Sequence, residues 1–172
     1  MEGDIKIKQL VLGIGNLLLG DEGVGVHAAQ VLLTETLPGD TEVLDIGTAI
    51  LDAMEAMETA DRIVIVDAMK ADGQPGSIYR IPLENCKITE QIGSMHGFDI
   101  NRVMALSGRT DQPEVIVIGI EPAVIDWSTE LSPEVTAIFP TVLDTIRQEV
   151  ACVDMIINSV RQSSFEPENI VM

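Results

Sequence analysis

Residues 7–14 read IKQLVLGI, and the apolar run ends at once in Gly15-Asn16. Three further stretches share its character: EVLDI at 42–46, RIVIV at 62–66 and VIVIGI at 115–120. Short runs that are apolar at odd and even positions alike, and rich in Val and Ile, fit strands covered on both faces, as in a parallel sheet. SIYRI at 77–81 alternates more and follows Pro75-Gly76, which reads as an edge or antiparallel strand. Helical patterns separate the strands, at about 23–36, 49–59, 98–106 and from Pro133 to about Arg161. Ser132 is the N-cap candidate of the last helix and Pro133 its first residue. Pro140 falls inside it and predicts a kink or break. The order of elements predicts a three-layer α/β/α sandwich around a mostly parallel, twisted sheet of about five strands. A single domain is expected over 1–162, with 163–172 as a tail.

The composition narrows the classes of function. The chain has 172 residues, with 10 basic against 28 acidic ones and a net charge of −18. Its isoelectric point is near 4.1 and its mean hydropathy +0.27. A surface so poor in Lys and Arg argues against a nucleic-acid binder, and also against a module held on anionic membranes. Aromatic residues, at 3%, are too few for a base-stacking platform. There is no charged-then-apolar leader and no apolar run of about 18 residues or more, so neither a signal peptide nor a membrane span is expected. Cys86 and Cys152 stand alone, which suits a reducing compartment, the cytoplasm, and excludes a thiolate zinc site by number.

Polar residues gather where the strands end. Asn16, Asp45, Asp67 and Glu121 each lie at or just past the end of an apolar run. In open parallel sheets the ligand crevice lies outside the carboxyl ends of the strands, so the four belong to one side. Asp and Asn also favour loop starts for purely local reasons. The stretch 13–25, GIGNLLLGDEGVG, is glycine-rich without being a dinucleotide fingerprint. Leu18 stands where the third glycine is needed, and Asp21-Glu22 would repel a pyrophosphate. Carboxylates in that position also serve as helix caps. Only two histidines occur. His27 lies within a helical pattern and suits a structural role, whereas His96 sits in the glycine-flanked stretch GSMHG at 93–97. Joined with Glu22 and Asp67, His96 makes a set of two carboxylates and one imidazole, which suits a divalent first-row metal. Trp127 falls in a loop, where it packs on the sheet edge or meets a substrate.

These residues resemble the hydrogenase maturation endopeptidases, which cut a C-terminal extension from the large subunit of nickel-iron hydrogenase after nickel insertion. The loop 13–25 resembles the family's signature. Asp45-Ile46-Gly47-Thr48 is similar to its DGGT, with Ile46 in place of the first glycine. Val66-Asp67-Ala68, Pro75 to Arg80, Ser94 to Gly97, Gly119 to Pro122 and Leu131 to Val135 follow in the family's order. The resemblance implies an α/β/α sandwich and a peptidase acting on the immature, nickel-loaded large subunit. It implies Glu22, Asp67 and His96 as contacts to nickel supplied by the substrate, a site that other divalent cations could also occupy. Catalysis is expected to involve Glu22, Asp67 and Asp45, by a metal-activated water or in the manner of an aspartyl protease. Asn16, Gly47 and Thr48 are candidate substrate-binding residues. Ile46 bears on loop shape, because isoleucine does not take a positive φ cheaply. A non-cleaving chaperone for the precursor, a generic metallohydrolase and a nucleotide-binding domain are the alternatives.

Overall fold

The computed structural model describes residues 7–85, 104–105 and 110–163, with side chains of the last helix as far as Val153. Among the described residues five strands form one sheet: β1 (Lys8–Ile14), β2 (Asp40–Gly47), β3 (Arg62–Ala68), β4 (Ile78–Pro82) and β5 (Glu114–Ile120), in the order β2-β1-β3-β5-β4. The first three and β5 run parallel, and β4 pairs antiparallel to β5 at the edge. Every residue of β3 is buried, as a central strand covered on both faces requires.

The alternation along each strand divides two cores. Val11, Val64, Val66, Ile118 and Ile120 face α1 (Val24–Leu32) and α3 (Pro133–Ser163). Leu10, Leu12, Ile63, Ile65, Val115 and Val117 face the other layer, built from the 3-10 turn Ile50–Ala53, α2 (Met54–Thr59) and Met104. The sandwich and the mostly parallel sheet are thus as the sequence predicts. The helix expected at 98–106 lies outside the described residues except for helical Met104 and Ala105.

One expectation is corrected and another narrowed. The helix predicted to reach residue 36 stops at Leu32, where the chain tightens into i→i+3 bonds (Thr34 to Val31, Glu35 to Leu32) before Pro38-Gly39. The Thr34 hydroxyl donates to the Val31 carbonyl at 2.7 Å, which satisfies a group the ending helix leaves open. Of the kink or break predicted at Pro140, the break does not occur: α3 continues through it. Pro140 and Thr136, whose carbonyl loses its donor, are both exposed, so water can take over that bond.

A buried ion network, invisible in the periodicity, ties α3 to the start of the sheet. Arg62 and Glu149, 5% and 8% exposed, pair directly. Arg62 also donates to Glu114 at 2.7 Å and to Gln9 at 3.2 Å, while Arg80 grips Glu149 at 2.6 and 2.9 Å. Burial works to raise the Glu149 pKa, but hydrogen bonds from Arg80 and Arg62 outweigh it and hold the carboxyl below the ordinary range.

The successive crossovers use opposite faces: α1 links β1 to β2 on one, α2 links β2 to β3 on the other. The chain order reverses between β1 and β3, so the connections leaving their carboxyl ends part there, the position of the ligand crevice in open parallel sheets. Gly25, near the start of α1, sits on that opening. A side chain at this position would lie 2.1 Å from the Val66 carbonyl oxygen and 2.3 Å from that of Ile14.

Candidate functional site

The carboxyl ends of β1 and β2 enclose a shallow cleft of about 210 Å³ lined by Gly15, Asn16, Leu17, Val26, Asp45, Gly47 and Thr48. Four residues singled out from sequence, Asn16, Asp45, Gly47 and Thr48, thus share one wall-to-wall space. The register explains how. Gly13 faces Asp45 and Ile14 faces Gly47, so Ile46 is an extra residue in a bulge. Bulges beside functional sites re-aim side chains, and here Asp45 is turned to the cleft. Ile46 does not take a positive φ. Its side chain is buried in the core, and the positive φ, 51°, falls on Gly47.

The cleft is stitched by short-range bonds. Gly15 N–H donates to the Gly47 carbonyl at 2.9 Å. The Asp45 carboxylate accepts from Gly47 N–H at 3.2 Å and from the Gln30 amide at 3.1 Å. The Asn16 side chain accepts from Leu18 N–H at 3.0 Å, which turns the loop back toward the 3-10 turn Gly20–Gly23.

Glu22 belongs to that turn, which packs against β3 at the crevice. One of its carboxylate oxygens, Oε2, is buried and has no hydrogen-bond partner among the described residues. Asp67, 3% exposed, ends β3 on the far side of the same opening. The turn that carries Glu22 therefore packs against the strand that carries Asp67. His96 and Cys86 lie outside the described residues, and among those described no three His, Cys, Asp or Glu side chains cluster as a metal site. His27 is half-buried in α1, with Nε2 buried and without a hydrogen-bond partner among the described residues. Cys152 is an exposed free thiol.

Two acidic residues have structural roles. Asp21, beside Glu22, is 1% exposed. Its Oδ2 accepts from Ala123 and Val124 N–H at 2.8 and 2.9 Å, and its Oδ1 from Ser132 N–H at 2.7 Å. Ser132 in turn caps α3, its hydroxyl accepting from Val135 N–H at 3.2 Å. Glu121 reaches the right end of the sheet but turns from the cleft. It accepts from Ala71 N–H and from the Tyr79 hydroxyl, both at 2.9 Å. Burial first, and then this bond to Glu121, push the Tyr79 phenol pKa up. Trp127 packs on nothing that hides it and is 81% exposed.

Residues 26–149 match the model of a family described as hydrogenase maturation protease. The chain is 32% identical over 134 residues to the hydrogenase expression/formation protein HupD of Thiocapsa roseopersicina, which covers 73% of this chain and 60% of that one. Among solved structures it is similar to the hydrogenase maturating endopeptidase HybD of Escherichia coli, with 28% identity, a TM-score of 0.70, and 81% and 90% of the two chains covered. It is also similar to the NiFe hydrogenase maturation protease HybD of Thermococcus kodakarensis, at 29% identity and a TM-score of 0.70, covering 84% and 99%.

Proposed function

The chain belongs to the hydrogenase maturation protease family, and from that premise we propose that it removes the C-terminal extension of a nickel-iron hydrogenase large subunit, as the endopeptidase its relatives are named for. The substrate is the immature subunit already holding nickel. Glu22 and Asp67 reach for that nickel from the crevice between β1 and β3, and His96 is the third contact. The observation that carries the reading is the buried Glu22 Oε2, which has no hydrogen-bond partner among the described residues. A carboxylate oxygen left so is costly unless something arrives to meet it, and a divalent cation is what oxygen and imidazole donors suit. Zinc or cobalt would suit the same donors, so the choice of nickel rests with the substrate.

The tail to be cut lies in the neighbouring cleft, where Asn16, Gly47 and Thr48 offer backbone and side-chain groups to an extended peptide. Hydrolysis needs a water to add to the scissile carbonyl and a proton to reach the leaving amine. Asp45, whose carboxylate accepts from Gln30 and Gly47, takes the proton from that water as general base, with Glu22 and Asp67 as the other catalytic carboxylates. In the rival version these carboxylates alone activate the water, as in an aspartyl protease, and nickel serves only for recognition. The protein acts in the cytoplasm, where its lone cysteines stay reduced.

Incubation with nickel-loaded precursor tests this. The expected result is a loss of mass at the precursor's C-terminus, abolished by Glu22→Gln and strongly reduced by Asp45→Ala. Full activity in both variants would remove this mechanism, and binding without any loss of mass would make the protein a chaperone.

A further inference from the structure

Beside the cleft the chain displays apolar side chains that it does not cover. Leu18 is 52% exposed, Val124 50% and Trp127 81%. They come from two segments bonded side by side. Gly20 N–H donates to the Ser128 carbonyl at 2.8 Å, Ser128 N–H to the Leu18 carbonyl at 3.0 Å, and Asp21 N–H to the Val124 carbonyl at 3.1 Å. The Asp21 carboxylate, gripping Ala123 and Val124, locks the second segment from below. The knob is therefore rigid backbone carrying solvent-facing hydrophobes, a combination that marks a surface made for a partner. It is continuous with the cleft, since Leu17 lines the cleft and Leu18 begins the knob.

We propose that this knob docks the folded body of the protein substrate, next to the tail seated in the cleft, through an apolar face rimmed with lysine or arginine; this rests on the endopeptidase reading above. A cleft of 210 Å³ accommodates too little of a polypeptide to select it, so recognition needs contact outside. Exposed Asp126 and Glu130 flank Trp127, which sets the sign of the partner's rim. A second copy of this chain is a poor occupant, because two bodies of charge −18 repel. Trp127 is the anchor, as tryptophan dominates interface hot spots.

Trp127 is the only tryptophan, so 5-fluorotryptophan labelling gives one fluorine resonance from this knob. Adding nickel-loaded precursor to the labelled protein is expected to shift that resonance saturably. Trp127→Ser and Leu18→Ser are expected to raise KM for the precursor roughly 10- to 30-fold with kcat nearly held. Leu33→Ser, an equally exposed leucine at the other end of α1, is expected to change neither. Precursor that is bound and cleaved while the resonance stays put would overturn the docking surface and leave the protease reading standing. Precursor neither bound nor cleaved by the unsubstituted protein would overturn both. A resonance that moves with the protein's own concentration, together with a dimer in sedimentation, would assign the knob to a second copy and overturn the proposal.

Discussion

Replacing Asp21 tests the claim that one buried carboxylate holds the 121–132 loop and the start of α3 in place. The side chain accepts three backbone N–H bonds, at 2.7 to 2.9 Å. Bonds to a charged acceptor contribute about 1.5–3 kcal/mol each, so deletion of all three bounds the loss at roughly 5–9 kcal/mol. The full sum will not appear. Val124 is exposed and Ala123 half-buried, so their N–H groups can turn to water, whereas Ser132 is buried. Asp21→Ala is therefore expected to cost about 3–5 kcal/mol. Asp21→Asn keeps an acceptor on one side only and sets its NH2 against a backbone donor on the other, for a loss of about 1.5–3 kcal/mol. Urea unfolding at neutral pH gives both values. Hydrogen exchange at the Ser132 and Val135 amides is expected to quicken, because the N-cap loses its anchor with the clamp. An Asp21→Asn protein with the unfolding midpoint of the unsubstituted chain and unchanged exchange at Ser132 would refute the clamp.

Two further perturbations follow. Gly25→Ala drives a methyl group to within 2.3 Å of the Val66 and Ile14 carbonyl oxygens, which are fixed in β3 and β1; a loss of at least about 3 kcal/mol is expected in calorimetry, with α1 displaced from the crevice. Glu149 has a folded pKa held below its ordinary value of 4.5, so its ionised form adds stability above that value and the contribution is lost as pH falls below it. Glu149→Gln is expected to cost about 2–4 kcal/mol at pH 7, since buried Arg62 keeps only the exposed Glu114 as counter-charge, and to flatten the fall in melting temperature expected of the unsubstituted chain between about pH 5 and 3.

How much of this was legible beforehand differs by residue. The strands were plain because both faces of β1, β3 and β5 are buried, which forces apolar residues at consecutive positions and leaves little ambiguity. The cleft was legible too, because parallel strands deliver their ends to one side whatever the loops do. Asp21 and Glu22 were not separable. Adjacent acidic residues of one turn, they part only because a loop a hundred positions later offers its N–H groups to the first and not the second. Glu121 carried the right position for the site and the wrong direction, since Tyr79 and Ala71 supply donors that no local pattern announces. Pro140 marks a lost bond and not a helix end, because the orphaned Thr136 carbonyl looks onto water and the helix runs on. Arg62 opening an apolar strand was the one visible hint of the ion network, and its partner Glu149 looked like any other helical glutamate.

Among the described residues the strand order places β2 at one margin of the sheet and β4 at the other. Unprotected margins invite strands from other molecules to join, the first step toward fibrous aggregates. Here β2 carries Asp40, Glu42 and Asp45, and β4 closes on Pro82, which has no N–H to lend. A neighbouring molecule meets like charge along β2 and a missing donor at the end of β4, which keeps foreign strands from extending the described sheet even in concentrated solution.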